Sequence, residues 1–506
     1  MESKFSVICT NFMNKTIRKL LYLILIGNIG AIGLSIIGWN KSTIPFLIIG
    51  TISIFIGYKI IRANISNVQK LSLILIIALT LRLLWFLNIP SVPVSDFSLI
   101  NEAAISFLNG DRSMFRGTEY ISRFPHLTGM LLYMALINFL FPIKSIIVMK
   151  FINLFLGLID IILIYLITDL IFKNKIYAQI SAFMASVFPP LITYTTVFCS
   201  ENIAMPFYLL SIYLFVHHLR NRNSKFQLLL CGVILSIGNF FRTIATVILI
   251  AYILYVIIYS LGAIYEKLRD IVILIISYIS ITLIISTTLQ SLNIIEKPLW
   301  KPSESKITSV LKGSNYKSFG RFNSEDADFI NEHLDNYEEL KEKSKEIILD
   351  RYKSHSIFDT TLFLIEKFTL QWSVGDFEGH FWAQTDVPEE DIKFPIKQIE
   401  GSLAFQLIYF IIVTLVFIGL KNDQVLRHVK EANLLYLIIG GYGLTYLITE
   451  TQGRYSYICC YIIIFLSIAG VDSVMQKFKT KSRSGVIQAE ILRENESAIS
   501  NNENVF

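Results

Sequence analysis

The chain has 506 residues, of which 53% are hydrophobic and 17% are charged, and its formal net charge is +6 at pH 7. Soluble proteins carry about 25% charged residues, and apolar runs of 17 or more residues are typical of membrane helices. The composition therefore excludes an ordinary soluble protein. The modest positive charge is interpreted as membrane topology and not as nucleic-acid binding.

Twelve apolar segments predict an all-α polytopic membrane protein. Each is long enough, or nearly long enough, to cross a bilayer as a helix. Basic residues precede the first segment but no cleavage motif follows it, which predicts an uncleaved span instead of a signal peptide. The predicted boundaries are 20–38, 44–60, 71–88, 146–171, 177–197, 202–217, 226–240, 243–261, 271–290, 403–420, 432–449 and 455–473.

Short loops that carry Lys and Arg predict the orientation of the chain, because such loops stay in the cytoplasm. Basic residues occur at the N-terminus, after residue 474, and in the loops 61–70, 172–176, 218–225, 262–270 and 421–431. All of these fall on one side if every segment crosses once. Both termini are therefore predicted to be cytoplasmic.

The apolar stretch 127–141 has only about 15 residues, short for a span, and is interpreted as a juxtamembrane helix on the outer face.

This topology divides the chain into five successive regions. Its parts are two N-terminal spans in 1–70, a membrane module in 71–290 with a first outer loop at 89–145, an outer segment at 291–402, the last spans in 403–474, and a polar cytoplasmic tail at 475–506. The composition of the tail predicts disorder.

The outer segment, residues 291–402, is the one sizeable polar region between predicted spans. Its stretch 357–372 predicts an amphipathic helix, followed by the aromatic and polar stretch 372–382. The residues expected on the apolar side are Phe358, Leu362, Ile365, Phe368 and Trp372. The segment is interpreted either as an interfacial lid or acceptor platform, or as a solvated loop with an aromatic belt.

The cysteines and the lack of nucleotide-binding motifs add little to the prediction of function. The five cysteines lack the spacing of metal ligands and are interpreted as inert thiols; they are Cys9, Cys199, Cys231, Cys459 and Cys460. The sequence has neither a Walker loop nor a dinucleotide fingerprint, so nothing in it supports ATP-driven transport.

Asp96 stands at the predicted outer face, shortly after the apolar run 71–88. A carboxylate at that position can act as a general base on substrates that arrive at the membrane. The alternative is structural, because Ser95 or Asp96 could cap a short helix 97–109 that ends at Gly110.

Acids and arginines from distant segments are predicted to converge on this face. The acids are Asp96, Glu102 and Glu201, and the arginines are Arg112, Arg116, Arg123, Arg242 and Arg454. Taken singly, Glu201 could cap a helix, Arg242 could anchor a turn and Arg454 could reach lipid head groups. Together they suit a base beside an anion site, since guanidinium groups match phosphate oxygens. The outer face lacks ATP and nucleotide sugars, so a lipid-linked phosphate is the expected donor.

Four short stretches resemble motifs of the C-type glycosyltransferase superfamily (GT-C), in the branch of the protein O-mannosyltransferases, the lipid A aminoarabinose transferases and their bacterial relatives. They are Ser95-Asp96 with the helix ending Leu108-Asn109-Gly110, Arg123-Phe124-Pro125-His126-Leu127, Phe188-Pro189-Pro190 through Ser200-Glu201-Asn202, and Gln452-Gly453-Arg454-Tyr455. Glu366-Lys367-Phe368 also resembles a helix that precedes the last spans in bacterial members. The order of these stretches over most of 71–474 carries the resemblance.

The resemblance implies an inverting sugar transfer from a lipid phosphate, with Asp96 as the catalytic base and Glu201 as a second acid. Arginines would hold the donor phosphate. The candidate substrate-binding residues are Glu102, Arg123, His126, Arg242, Arg454 and Tyr455. No cofactor is implied, and a divalent metal is possible but not required. The sequence departs from the family where Phe97 follows Asp96 in place of a second acid, where His126 replaces a frequent second proline, and in its two additional N-terminal spans.

The expected function is transfer of a sugar from a polyprenyl-phosphate donor to an acceptor hydroxyl on the extracytoplasmic face of a bacterial plasma membrane. A composition rich in Ile, Lys and Asn suggests an AT-rich bacterial genome, and hence undecaprenyl phosphate as carrier. The acceptor could be a glycan, a glycolipid or a protein. Two alternatives stay open. One is a polysaccharide polymerase or ligase that uses lipid-linked glycans. The other is a lipid-glycan flippase or transporter, for which Asp160 and Asp169 would be the charges within spans.

Overall fold

The computed structural model describes residues 4–39, 41–221, 225–398, 400–421 and 429–477. Every regular element in these ranges is a helix, and many of the helices are long and apolar. The predicted all-α polytopic membrane fold is therefore confirmed. Apart from its first three residues, the predicted tail 475–506 lies outside the described residues.

The first three helices are α1 Lys4–Ile37, α2 Thr43–Arg62 and α3 Asn67–Asn88. Helix α1 begins before the predicted first span at 20–38, because the more polar stretch ahead of residue 20 continues the same helix. At 1.5 Å per residue, the 34 residues of α1 extend roughly 50 Å.

Helix α1, which contains the first predicted span, is packed into the molecule. Asn28, midway along α1, is fully buried. Its side-chain amide donates to the carbonyl of Ser373 at 3.1 Å and to Oε1 of Gln406 at 2.6 Å. These partners belong to the outer segment and to a late membrane helix, so α1 holds two distant parts of the chain together.

The first loop between membrane helices contains α4 Asp96–Leu108, α5 Tyr120–Arg123 and α6 Thr128–Leu140, with a 3-10 turn at Pro125–Leu127. The predicted helix 97–109 is present, and Gly110 follows it with a φ of +92°. The apolar stretch 127–141 forms the short helix α6 and packs on α4. Its assignment to the outer face stays a prediction.

Seven helices form the central bundle, from α7 to α13. They are α7 Ser145–Phe172, α8 Lys175–Val187, α9 Pro189–Thr193, α10 Glu201–Arg220, α11 Lys225–Phe241, α12 Ala245–Ile258 and α13 Ile264–Ser291. The predicted straight span 177–197 is bent by 60° between Val187 and Pro189. Phe188 takes an extended conformation because the ring of the following proline disfavours the helical one.

The outer segment contains five helices, α14 Ile307–Gly313, α15 Ser324–Glu332, α16 Tyr337–Lys353, α17 Ile357–Trp372 and α18 Gly379–Gln384. The first three enclose a small core of Leu311, Ile330, Leu340 and Ile348. The predicted helix 357–372 is confirmed, but its apolar face is rotated from the prediction. Phe358 is 70% exposed, whereas Phe363 is buried because it stacks on Tyr316 at 4.2 Å.

The last helices are α19 Leu403–Lys421, α20 Ala432–Ile448, a 3-10 helix at Gly453–Cys459 and α21 Tyr461–Lys477. The predicted span 455–473 is bent by 63° where the 3-10 helix meets α21. The bend sets Arg454 and Tyr455 on a short element beside the outer segment and not along a membrane helix.

Seven of the described helices are long and apolar enough to cross a membrane, and nine if each bent pair counts as one span. The helices α11, α12 and α20 are apolar but shorter, as is the stretch Pro125–Leu140. Each of the twelve predicted spans therefore coincides with an apolar helix or a bent pair. The multi-pass membrane character follows from these helices.

Candidate functional site

A cavity of about 1140 Å³ lies between the membrane helices and the outer segment. Its walls come from the start of α4, from the chain around α5, from α11, α13 and α14, and from the connection after α20. These elements are far apart in sequence. The four stretches that resemble GT-C motifs meet at this cavity or directly behind its wall. The cavity is large enough for several groups of one substrate, since drug-sized ligands occupy roughly 300–1,000 Å³.

Asp96 lines the cavity as the first residue of α4 and is half-buried. The capping interpretation finds no support in hydrogen bonds, because the Ser95 side chain makes no capping bond to the helix. Ser95 has a φ of +51°, a conformation that costs an L residue energy and often occurs at functional sites. Both Ser95 and Asp96 line the cavity.

Tyr120 of α5 is the neighbour of this carboxylate. Burial, and next the negative charge of Asp96, raise the pKa of Tyr120, so that it stays a neutral phenol. A neutral phenol can donate one hydrogen bond, and the carboxylate of Asp96 is near enough for its charge to act on this phenol.

Arg454 is buried in the cavity wall, with 5% of its side chain exposed. Its guanidinium carbon lies 5.0 Å from the ring centroids of both Phe97 and Trp382, and 5.5 Å from that of Tyr455. Within the described part of the chain no carboxylate forms an ion pair with it, and its Nε atom has no hydrogen-bond partner. Phe97 directly follows Asp96, so α4 brings the acid and this arginine together.

Arg242 lies on the other side of Tyr455, with its guanidinium carbon 5.2 Å from the ring centroid. Its Nη2 atom is 3.4 Å from Oε1 of Glu201. Glu201 itself is 1% exposed and does not line the cavity. The structure therefore sets the predicted second acid behind Arg242 as its counter-ion, which fixes the arginine and leaves it facing the cavity.

His126 lines the cavity beside these arginines. Burial, and next the charge of Arg242, lower the pKa of His126 to about 3. The imidazole is therefore neutral at pH 7 and offers one donor and one acceptor without adding charge.

Arg123 and Glu102 occupy different positions from those expected. Arg123 lines the cavity, but its Nε atom pairs with Glu304 at 2.8 Å and its Nη1 atom donates to Asn331 at 3.2 Å. It therefore ties the first loop to the outer segment. Glu102 is exposed, accepts a bond from Ser98 at 2.9 Å and does not line the cavity.

Sequence reasoning did not single out several residues of the site. Tyr120, Trp382, Glu304, Lys312 and Glu450 all line the cavity, and Lys312 lies 3.4 Å from Glu450. The sequence signal that could have identified Trp382 is the aromatic and polar stretch 372–382, which contains it. Nothing in the local sequence marks the others, because their partners are distant in the chain.

Lys367, in the Glu366-Lys367-Phe368 stretch, supports the cavity from behind. It is fully buried and donates to the carbonyls of Gly313 at 2.7 Å and Leu447 at 3.1 Å. These carbonyls belong to the ends of α14 and α20. The lysine therefore joins two helices whose neighbouring residues line the cavity.

The charges predicted within spans have partners or neighbours inside the protein. Asp169 pairs with Lys175 at 2.6 Å near the end of α7. Asp160 is 2% exposed and lies near the fully buried Arg82 of α3. The sequence interpretation missed Arg82, although it stands within a predicted span.

The last feature is the arrangement of the cysteines and of the side chains that could bind a metal ion. Four of the five cysteines are buried and all five are free. No group of three or more His, Cys, Asp or Glu side chains in the described ranges is arranged to hold a metal ion.

Comparison with known proteins identifies a family domain within the chain. Residues 128–289 match the family model described as dolichyl-phosphate-mannose-protein mannosyltransferase. This range contains α6 to α13, and therefore Glu201 and Arg242. No curated protein matches the sequence significantly.

Among solved structures, the chain is similar to the oligosaccharyltransferase of Archaeoglobus fulgidus. The apo crystal structure shares 11% identity over 84% of this chain and 52% of that one, with a TM-score of 0.50. The same enzyme, AglB, in complex with an inhibitory peptide and a dolichol-phosphate shares 12% identity over 82% of this chain and 51% of that one, with a TM-score of 0.46. The chain thus spans about half the length of these proteins. The likeness to the apo structure concerns the fold.

Proposed function

We propose that the chain is a membrane glycosyltransferase of the C-type superfamily that uses a lipid-linked phosphate donor, because residues 128–289 match the mannosyltransferase family model. The matched family model is named after a dolichyl-phosphate sugar donor, and its range includes Arg242 in the cavity wall. Sugar transfer from a lipid phosphate requires an anion site, a base and access from the bilayer. Each of these is supported by a feature of the cavity.

The observation that carries the proposal is the buried guanidinium of Arg454. A buried charge is costly unless it is paired, and stacking on aromatic rings compensates only in part. The Nε atom of Arg454 has no hydrogen-bond partner, and the carboxylate that acts on this arginine, Glu201, is already paired with Arg242. Both arginines lie against the ring of Tyr455. A phosphate group would satisfy both arginines through charge-assisted hydrogen bonds.

Access for a lipid donor is supported by the membrane side of the cavity. Ser236 of α11 and Tyr278, Thr282 and Ile285 of α13 line this side. Several apolar side chains of α13 are exposed on the protein surface, among them Ile276, Leu283 and Ile284, and are available to lipid. A polyprenyl chain could lie along α13 while its phosphate reaches the arginines.

Asp96 is proposed to act as the general base. The oxygen of an acceptor hydroxyl attacks C1 of the donor sugar, and its proton passes to the carboxylate of Asp96. The bond between C1 and the phosphate oxygen breaks, and its electron pair leaves with the lipid phosphate. The arginines stabilise the charge that develops on this oxygen. Attack from the side opposite the phosphate inverts the anomeric carbon.

The finer assignments are part of the same proposal. Undecaprenyl phosphate is the proposed carrier, a hexose or pentose is the proposed sugar, and a glycan, glycolipid or protein hydroxyl is the proposed acceptor. The site is proposed to face the extracytoplasmic side of a bacterial plasma membrane. These assignments rest on the composition and on the basic-loop asymmetry of the sequence.

Substitution of Asp96 tests the base. Asn caps helices about as well as Asp, so Asp96→Asn should express and fold normally. Sugar transfer from purified polyprenyl-phosphate donors should fall by roughly 100-fold to 10,000-fold, the usual contribution of a positioned general base. Glu102→Gln on the same helix, outside the cavity, is the matched control and should keep the wild-type rate. A normally folded Asp96→Asn protein with wild-type transfer would contradict the assignment of Asp96 as the base.

A further inference from the structure

A buried ion pair lies outside the cavity, next to the helix that carries Trp382. Asp376 precedes α18 and His380 is the second residue of this helix, and their side chains are 0% and 2% exposed. The Nδ1 atom of His380 is 3.0 Å from both carboxylate oxygens of Asp376, and the backbone N–H of His380 donates to Oδ2 at 2.7 Å. The Nε2 atom, on the other side of the ring, lies 3.1 Å from the carbonyl oxygen of Gln398. These three residues do not line the cavity.

Both ring nitrogens of His380 face atoms that accept hydrogen bonds. A carbonyl oxygen and an ionised carboxylate can only accept, so both nitrogens are satisfied only when both carry a proton. Burial by itself lowers the pKa of His380, but the charge of Asp376 and the hydrogen bonds to Asp376 and Gln398 outweigh burial, and the pKa lies above its usual value. The geometry and the charges therefore agree on a positively charged imidazolium.

Three further ionisable groups near the imidazole have partners of their own. Glu378 also acts on it, but pairs with Arg321 at 2.8 Å. Tyr194 packs beside α18, and its hydroxyl donates to a backbone carbonyl in the turn before the helix at 2.6 Å. Lys397, next in the chain to the carbonyl acceptor, pairs with Glu389 at 2.5 Å. The buried carboxylate is therefore the counter-ion of the imidazolium.

The ion pair spans a strained turn in front of α18. Phe377 and Glu378, which follow Asp376, have φ angles of +51° and +64°. Such angles persist in residues other than glycine only where the surrounding structure holds them. The three contacts from His380 back to the carboxylate cross this turn, so they hold the start of α18 in place.

Residues 392–398, which we call the strap, tie α18 to the end of α3. Gln384 of α18 donates to the carbonyl of Ile396 at 3.0 Å and accepts from its backbone N–H at 2.8 Å. Asn88, the last residue of α3, accepts from the backbone N–H of Phe394 at 2.8 Å and donates to its carbonyl at 3.3 Å. The carbonyl that faces the imidazole belongs to the last residue of the strap. The imidazolium therefore joins α18 to the strap.

Helix α18 and its preceding turn contact the segment of Arg454 at two points. The ring of Trp382 lies 5.0 Å from the guanidinium carbon. The carboxyl carbon of Glu378 lies 2.7 Å from the position that a Cβ atom would take at Gly453, so a side chain at residue 453 would displace it. A shift of α18 would therefore change the wall behind the arginine.

We infer that Asp376 and His380 position the arginine site, because they hold Trp382 against Arg454 as long as both ring nitrogens donate. Loss of one imidazole proton leaves the buried carbonyl of Gln398 or the buried carboxylate without its donor, which is costly for a buried group. Helix α18 then separates from the strap or from its preceding turn. The inference rests on the proposed function only in taking Arg454 as the site of the donor phosphate.

The test follows Trp382 as the pH of the purified protein is raised, without any donor. Its fluorescence is the difference between a protein and the same protein with Trp382→Phe. The wild-type signal should be constant up to about pH 6.5, the usual pKa of histidine, and should change as the pH rises through the raised pKa of His380. His380→Gln keeps an amide donor but does not titrate, so its signal should stay constant. Asp376→Asn removes the counter-ion and should move the change to lower pH.

The same pH series is measured for binding of decaprenyl methyl phosphate, a phosphodiester whose charge is constant over this range. Wild-type affinity should be roughly threefold to tenfold lower above the fluorescence change than below it, the order of one cation–π contact. His380→Gln should show no such step. His355→Gln is the matched control, because His355 is an exposed histidine of the outer segment; it should follow the wild type in both measurements.

A wild-type Trp382 signal that stays constant up to about pH 9 would overturn the inference, as would a change that His380→Gln retains. If His380→Gln does not fold, Asp376→Asn decides, and an unchanged midpoint in that variant would contradict the pairing. A fluorescence change with constant affinity for the phosphodiester would show that the pair holds α18 but not the arginine site, and would also overturn the inference. Fluorescence that changes as expected in a protein that binds the phosphodiester at no pH would refute the lipid-phosphate donor and leave the hold on Trp382 intact.

Discussion

At the scale of single residues, the site is defined by which charges have partners. Arg123 is paired with Glu304, Arg242 with Glu201 and Lys312 with Glu450. Asp96 and Arg454 form no ion pair in the described part of the chain, and they are neighbours through Phe97. A carboxylate and a guanidinium held apart in one cavity can each act on a different atom of the same substrate.

The guanidinium of Arg454 gives a prediction on donor affinity. Arg454→Ala removes charge-assisted hydrogen bonds worth about 1.5–3 kcal/mol each, and should weaken donor binding by roughly 10-fold to 100-fold per lost bond. Arg454→Lys should retain part of the affinity, since lysine keeps the charge but loses the bidentate geometry. The measurement is binding of a polyprenyl-phosphate sugar to purified protein.

Arg116→Ala is the control for this series, because Arg116 is exposed and lies outside the cavity on the same loop as Tyr120. Its donor affinity should equal that of the wild type. If Arg454→Ala also binds donor with wild-type affinity, the phosphate is held elsewhere and Arg242 becomes the leading residue.

At the scale of elements, α1 supports the site from outside the cavity. Asn28 of α1 contacts Ser373 and Gln406, and Oε1 of Gln406 in turn accepts a bond from the backbone of Gly375 at 3.1 Å. The chain from Ser373 leads into α18, which carries Trp382 against Arg454. The N-terminal helix therefore helps to hold one wall of the arginine site.

Asn28→Leu tests this support. Leucine has a similar size but leaves the carbonyl of Ser373 without its donor and removes one of the two donors to Oε1 of Gln406. A buried unsatisfied group costs about 1–3 kcal/mol. The thermal stability of the protein in detergent should fall accordingly. Ile29→Ala, at a neighbouring position with 55% exposure, should cost less. Equal melting temperatures for Asn28→Leu and wild type would show that α1 packs without contributing through this contact.

At the scale of the whole molecule, the basic-loop pattern predicts that the outer segment and the C-terminal side of α10 lie on opposite faces of the membrane. Two cysteine variants test this orientation. Lys317→Cys lies in the outer segment, where the Lys317 side chain is 86% exposed, and Asn221→Cys lies directly after the end of α10. In a Cys9→Ser background, an impermeant thiol reagent added to intact cells should label residue 317 and not residue 221. The four other native cysteines are buried and should stay unlabelled. The opposite labelling pattern would refute the orientation.

Helix class, helix positions and the candidate acid could be predicted from the sequence because they depend on local properties. Run length and hydropathy determine which segments can form membrane helices, and each of the predicted spans has an apolar helix in the structure. The helix after Asp96 and its end at Gly110 follow from local turn chemistry. The GT-C resemblance, read from short stretches in order, agrees with the family-model match to residues 128–289.

The tertiary structure alone decided which residues face the cavity and which are paired. Glu102 is six residues after Asp96, so it points roughly 120° away around the helix, and the structure shows it exposed. Arg123 is neutralised by Glu304, 181 residues later in the chain. Glu201 is enclosed behind Arg242, and Trp382 reaches Arg454 only because the outer segment folds over the membrane helices. Such pairings depend on long-range packing, and no local pattern in the sequence contains them.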